Sequence, residues 1–155
     1  MTLNHDTNEG YSLTISNENE QIQVNIKARN FYGARHALET ISQLIVYDDF
    51  DNSLVILSQV SIEDEPKYPH RGISLDTSRN FYSVATIKRT INGLAMVKLN
   101  TFHWHLTDSQ TFPFDLKLHP ELTRLGGYSP EKVYTAIEIK DIVEFAKSRG
   151  IRVVS

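Results

Sequence analysis

The stretch RGISLDTSRNFYSVATIKRTINGLAMVKLNTFHWHLTDSQ, residues 71–110, decides the fold class. It opens with GISLD (Gly72–Asp76), a short apolar run of strand length, followed by the polar loop TSRNFYS. Val84, Ile87, Ile91, Leu94 and Val97 then recur at helical spacing, with Ser83 placed to cap the helix. TFHWHL (Thr101–Leu106) reads as a second strand. Downstream, a long polar loop leads to Thr135 and Glu138, whose Thr-x-x-Glu spacing is a capping box. Ile139, Ile142, Val143 and Ala146 carry a second helix, Gly150 stops it, and IRVV (Ile151–Val154) reads as a third buried strand. A β-α-β-α-β order implies parallel strands covered by helices.

Two α/β architectures fit this order, an open doubly wound sheet and a TIM (β/α)8 barrel. In barrels the reactive residues gather at the C-terminal ends of the strands. Asp76 and Arg79 follow the first strand here, and His103, His105 and Asp108 lie on or after the second. No Gly-rich phosphate loop follows either strand, which disfavours a dinucleotide-binding sheet. The expectation is therefore an incomplete barrel, its first three strands lying in residues 71–155.

Upstream the rhythm has period two. Tyr11, Leu13 and Ile15 alternate with polar residues, as do Ile22, Val24, Ile26 and Ala28, with NENEQ between them as a hairpin turn. Phe31, Ala34, Leu38, Ile41 and Ile45 fall on one helical face, and Leu54–Val60 is a further strand. Residues 11–62 thus form a small α+β domain, residues 1–10 a disordered leader, and the proline-bearing, charged stretch 63–70 a linker.

Composition narrows the function classes. A net charge of −3 leaves no basic footprint, so nucleic acid is excluded as a partner. Absence of Cys removes disulfides and thiolate metal sites from these residues. No apolar run reaches the roughly 20 residues that span a membrane, the start lacks a signal-peptide core, and no Asn-x-Ser/Thr sequon occurs. The compartment stays open.

Among the candidate functional residues, Arg79 is placed to fork hydrogen bonds to vicinal sugar hydroxyls or a carboxylate, or else to brace its own loop against Asp76. His103 and His105 face the same way on their strand, either as a metal pair with Asp108 or as barrel-interior histidines; Trp104 points toward the helices. Asp108 serves a substrate or another acid, or merely shapes a turn. His119 and Glu121 read as a solvated helical turn, and Tyr128 and Tyr134 as surface or rim residues.

Taken together, PHRG (Pro69–Gly72), DTSR (Asp76–Arg79), KLN (Lys98–Asn100), HWHLTDSQ-x-FP (His103–Pro113) and RGIRVV (Arg149–Val154) resemble the start of the catalytic domain of glycoside hydrolase family 20, the β-N-acetylhexosaminidases. YGARHALETISQLI and the strand before it resemble the α/β domain that precedes the barrel in that family. Ser109, where many members carry a second Asp, resembles the arthropod, chitin-processing branch.

The resemblance implies that Arg79 holds hydroxyls of a terminal N-acetylhexosamine and that Asp108, 29 positions on, belongs to the network near the catalytic acid. It implies a retaining reaction in which the substrate's own acetamido group attacks, with no metal and no cofactor. An Asp-Glu pair after a fourth strand would steady the acetamido group and act as general acid and base. The resemblance implies a family often homodimeric and secreted, lysosomal or membrane-associated. Because the chain passes from Val154 to Ser155 and ends, the expectation is a truncated, inactive form with an open sheet edge. Three other readings stand beside it: a non-catalytic sugar-binding module, a metal-dependent hydrolase, and a fragment that pairs its edge with a relative.

Overall fold

A computed structural model describes residues 3–19 and 21–155, which divide into two compact units, the first up to Pro69 and the second His70–Ser155. In the first unit, β1 (Tyr11–Glu18) pairs antiparallel with β2 (Gln21–Ala28) on one side and with β5 (Val60–Asp64) on the other. Period-two alternation puts Tyr11, Leu13 and Ile15 of β1 on one face, where α1 (Phe31–Leu44) contributes Ala37 to a shared core. Asn30 caps α1 by accepting from the backbone N–H groups of Tyr32 (2.9 Å) and Gly33 (3.2 Å).

Three expectations for this unit need correction. The face of α1 that is buried is Tyr32, Gly33, His36 and Ala37, while Phe31, Leu38 and Ile45 are exposed. Gly33 cannot give way on that face, because a Cβ there would overlap the Gly10 carbonyl. Leu54–Val60 is not one strand: β3 (Val46–Asp48) and β4 (Ser53–Val55) form a separate hairpin, and β5 begins only at Val60 and runs to Asp64, into the stretch read as a linker. Residues 3–10 carry structure rather than a disordered leader. Asn4 and Thr7 bond across a turn, Leu3 is buried, and buried Glu9 lies 3.8 Å from buried His36. Met1 and Thr2 lie outside the described residues.

The second unit is a parallel sheet in the order β6 (Gly72–Asp76), β7 (Thr101–His105), β8 (Arg152–Val154). Helices α2 (Val84–Met96) and α4 (Ala136–Lys147) provide the crossovers, and the short α3 (Pro120–Gly126) sits within the β7–α4 connection. Ser83 caps α2, and Thr135 with Glu138 forms the capping box of α4. Gly150, at φ 70°, supplies the left-handed turn that ends the α4 segment and leads into β8.

Phe102 and Trp104 of β7 face the helices and pack with Ile87, Ile91, Leu94, Ile142, Ala146 and Ile151. Val97 and Val143, expected on the helix faces, are exposed. Tyr134, expected at the surface or rim, is instead fully buried at the centre of this core. Its ring stacks on Phe81 at 4.7 Å and meets Trp104 edge-on at 5.2 Å. The opposite sheet face is polar. Register and alternation place Gly72, Ser74 and Asp76 beside Thr101, His103 and His105, with Arg152 and Val154 next in line.

Candidate sugar-binding site

The register that pairs Asp76 with His105 sets two titratable side chains on neighbouring positions at the C-terminal ends of β6 and β7. Asp76 ends its strand with a turn in which Oδ1 accepts the backbone N–H groups of Ser78 and Arg79, each at 3.0 Å. That turn brings the Arg79 guanidinium back over the strand end. There Nη1 donates to Asp76 Oδ2 at 2.5 Å, and Nη2 donates to Asp108 Oδ2 at 2.7 Å. Nε donates to Gln110 Oε1 at 3.4 Å. The brace against Asp76, which the sequence offered as the alternative to a ligand-holding role, is made, and the same guanidinium also reaches Asp108, a contact the sequence did not indicate.

An arginine has five N–H groups. Three are engaged here, leaving one N–H on each terminal nitrogen without a partner among the described residues, on a side chain that is 48% exposed. Donors held in the plane of one guanidinium can serve vicinal hydroxyls. Asp108, only 14% exposed, is nearly spent on internal donors. Oδ2 takes Arg79 and His105 Nε2 (3.1 Å), and Oδ1 takes the Ser109 hydroxyl (3.1 Å) and the Gln110 N–H (3.2 Å).

These donors decide the protonation states. The Gln110 N–H, then His105, Ser109 and Arg79, hold the Asp108 carboxyl below its ordinary value of 3.8. The Arg79 backbone and side chain do the same for Asp76, and Asp76 in turn raises Arg79. Near neutral pH the cluster holds two carboxylates and one guanidinium.

Three contacts from the long β7–α4 connection hold the Arg79 loop. Ser78 and Thr111 are buried and bond reciprocally, Ser78 Oγ to the Thr111 carbonyl at 2.9 Å and Thr111 Oγ1 to the Ser78 carbonyl at 2.6 Å. Tyr128 donates to the Arg79 carbonyl at 2.8 Å. Tyr134 donates to the Tyr82 carbonyl at 2.6 Å and accepts the Tyr82 N–H at 3.2 Å. None of these contacts was read from the sequence, because loop residues have no periodicity to expose them.

The metal reading of the histidines finds no cluster to rest on. His103 and His105 lie with ring centroids 6.3 Å apart, and His105 is turned onto Asp108. Among the described residues no group of three or more His, Asp or Glu is arranged to hold a metal ion. His119, paired with Glu121 at 3.1 Å, is exposed at the start of α3, as its sequence indicated.

With this geometry in place, comparison with known proteins decides the family. The glycosyl hydrolase family 20 catalytic-domain pattern matches residues 68–155, and a β-acetyl-hexosaminidase-like domain pattern matches residues 1–44. The chain belongs to glycosyl hydrolase family 20. Family 20 relatives include a chitooligosaccharidolytic β-N-acetylglucosaminidase of Bombyx mori, 54% identical over 96% of this chain and 25% of that protein. The corresponding enzyme of Ostrinia furnacalis is 49% identical over 96% of this chain and 25% of its own length.

Among solved family 20 structures, the chitobiase of Flavobacterium johnsoniae superposes with a TM-score of 0.84 at 38% identity, over 99% of this chain and 22% of that one. An exo-β-N-acetylglucosaminidase of Vibrio harveyi, in complex with N-acetylglucosamine, gives 0.80 at 35% identity, over 94% of this chain and 24% of that one. The chain spans about a quarter of the length of these relatives. Among the described residues no helix is long and apolar enough to cross a membrane.

Proposed function

We propose that this chain supplies the hydroxyl-gripping part of a β-N-acetylhexosaminidase, with Arg79 taking two vicinal hydroxyls of a terminal N-acetylhexosamine. The observation that carries this reading is the pair of unengaged N–H groups on a guanidinium held by Asp76 and Asp108 at adjoining strand ends. In the proposed reaction the substrate's acetamido oxygen attacks the anomeric carbon, with net retention, and an Asp-Glu pair on a further strand supplies the acid. Residues 71–155 are the first three strands of the (β/α)8 barrel in this reading.

The part played by Arg79 is electrostatic and geometric. It fixes the sugar so that the acetamido group lies against the reacting carbon, and it carries out no proton transfer itself. Chito-oligosaccharides are the proposed substrates, since the insect relatives at 54% and 49% identity bear that specificity in their names. The 155 residues by themselves are expected to bind but not to cut. Titration with N-acetylglucosamine tests the grip: saturable binding that weakens in Arg79→Lys supports it, and wild-type affinity in that variant refutes it. Turnover of a nitrophenyl N-acetyl-β-glucosaminide by the isolated 155 residues would refute the inactivity.

A further inference from the structure

We infer that His105 is a positioning residue for the Arg79 grip, acting through Asp108 rather than touching the sugar. This rests on the function proposed above. The four side chains close a ring: Asp76 and His105 are lateral neighbours on β6 and β7, Arg79 bridges Asp76 to Asp108, and His105 returns from Asp108 to the strand. Asp108 itself stands on a loop, with no strand to fix its rotamer. Its Oδ1 is tied to its own loop by the Gln110 N–H and the Ser109 hydroxyl.

The His105 bond to Oδ2 is therefore the direct bond from a strand side chain to the Asp108 carboxylate, the other route to a strand running through Arg79 itself to Asp76. A carboxylate only accepts, so Nε2 of His105 must carry the proton that faces it. The His105 ring meets the Asp108 carboxylate at 3.1 Å and stands edge-on to the His103 ring at 6.3 Å, with Asp76 as its backbone neighbour on β6. Freed of His105, the Asp108 carboxylate can swing with its loop, and Arg79 Nη2 follows it off the plane that the two hydroxyls need.

The test is the dissociation constant of N-acetylglucosamine for the intact protein, beside its thermal midpoint. His105→Leu is expected to weaken binding about tenfold, the scale of one hydrogen bond to a charged group discounted for partial exposure. His105→Gln, whose amide N–H reaches a similar position, restores most of the loss. In an Arg79→Lys background His105→Leu adds little, because the element it positions is gone.

Wild-type affinity in a folded His105→Leu variant overturns the inference. So does a loss of equal size in the Arg79→Lys background, which marks a role that does not run through Arg79. Should Arg79→Lys itself leave binding unchanged, the functional reading falls, and this inference with it. Nitrogen NMR of the His105 ring tests the same point without the Leu variant: a proton on Nε2 supports the inference, and an Nε2 that carries none overturns it.

Discussion

Ser78 and Thr111 stand 33 residues apart and bond to each other's carbonyl oxygens in both directions, in a site closed to water. The first adjoins Arg79 and the second the Asp108 turn, where the Asp108 N–H bonds to the Thr111 carbonyl at 2.9 Å. Thr111→Val keeps the volume but leaves the buried Ser78 carbonyl without this donor. A cost of roughly 1–3 kcal/mol is expected, read as a lower denaturant midpoint, together with weaker N-acetylglucosamine binding.

Arg79→Lys keeps the charge and removes the fork. A single ammonium cannot serve Asp76, Asp108 and two hydroxyls at once. N-acetylglucosamine is expected to bind on the order of 30-fold more weakly, with little change in the thermal midpoint because the side chain is half exposed.

Acid is expected to dismantle the grip. The folded carboxyls of Asp76 and Asp108 titrate below the ordinary 3.8, so their contribution to stability is complete above that value. It fades as pH falls through the lowered folded values, where protonation takes from Arg79 its two anchors. Sugar affinity measured from pH 6 downward is expected to hold to about the ordinary carboxylate value and then drop. Asp108→Asn is expected to bind more weakly throughout and to lose much of that acid limb.

Tyr134→Phe removes a hydroxyl that both donates to and accepts from the Tyr82 backbone. The ring contacts with Phe81 and Trp104 survive, so the loss isolates the polar part. A destabilisation of about 1–3 kcal/mol is expected from two backbone groups losing their partner, measurable by chemical unfolding.

Gly72→Ala is expected to be worse. A Cβ at Gly72 would overlap the Thr101 carbonyl, backbone that cannot move without parting β6 from β7. Overpacking costs typically about 1–3 kcal/mol and more where backbone must shift, so loss of soluble protein on expression is the expected outcome.

The parallel core was legible because its signals are periodic and capped. Phe102 and Trp104 alternate with histidines, and Ser83, Thr135 and Gly150 mark helix ends by their own chemistry. The α1 face was misread for a physical reason. Periodicity finds the most apolar stripe, here Phe31, Leu38 and Ile45, whereas the close approach of helix and sheet selects small residues, Gly33 and Ala37.

Leu54–Val60 misled because the apolar run Leu54–Leu57 does not show where pairing stops, and Ser58 and Gln59 were read through as strand. Arg79 and Asp108 were singled out by motif and the structure brings them into contact, while the Asp76 brace was foreseen as a rival role. The bond of His105 to Asp108 follows from how the chain turns as it leaves β7, and those of Tyr128 and Tyr134 from the path of a loop.

The loop that carries Arg79 is held by partners that arrive 33, 49 and 52 positions later in the chain. During synthesis, at about 5–20 residues per second, the ribosome would release Arg79 several seconds before Tyr134 can reach Tyr82. Until those residues emerge the guanidinium has its own Asp76 but lacks first the Asp108 turn and then the tyrosine clamps. On the proposed function, sugar affinity would report whether the last third of the chain has docked, and a nascent chain stalled short of Tyr128 is expected to pass unretained through a column of immobilised N-acetylglucosamine.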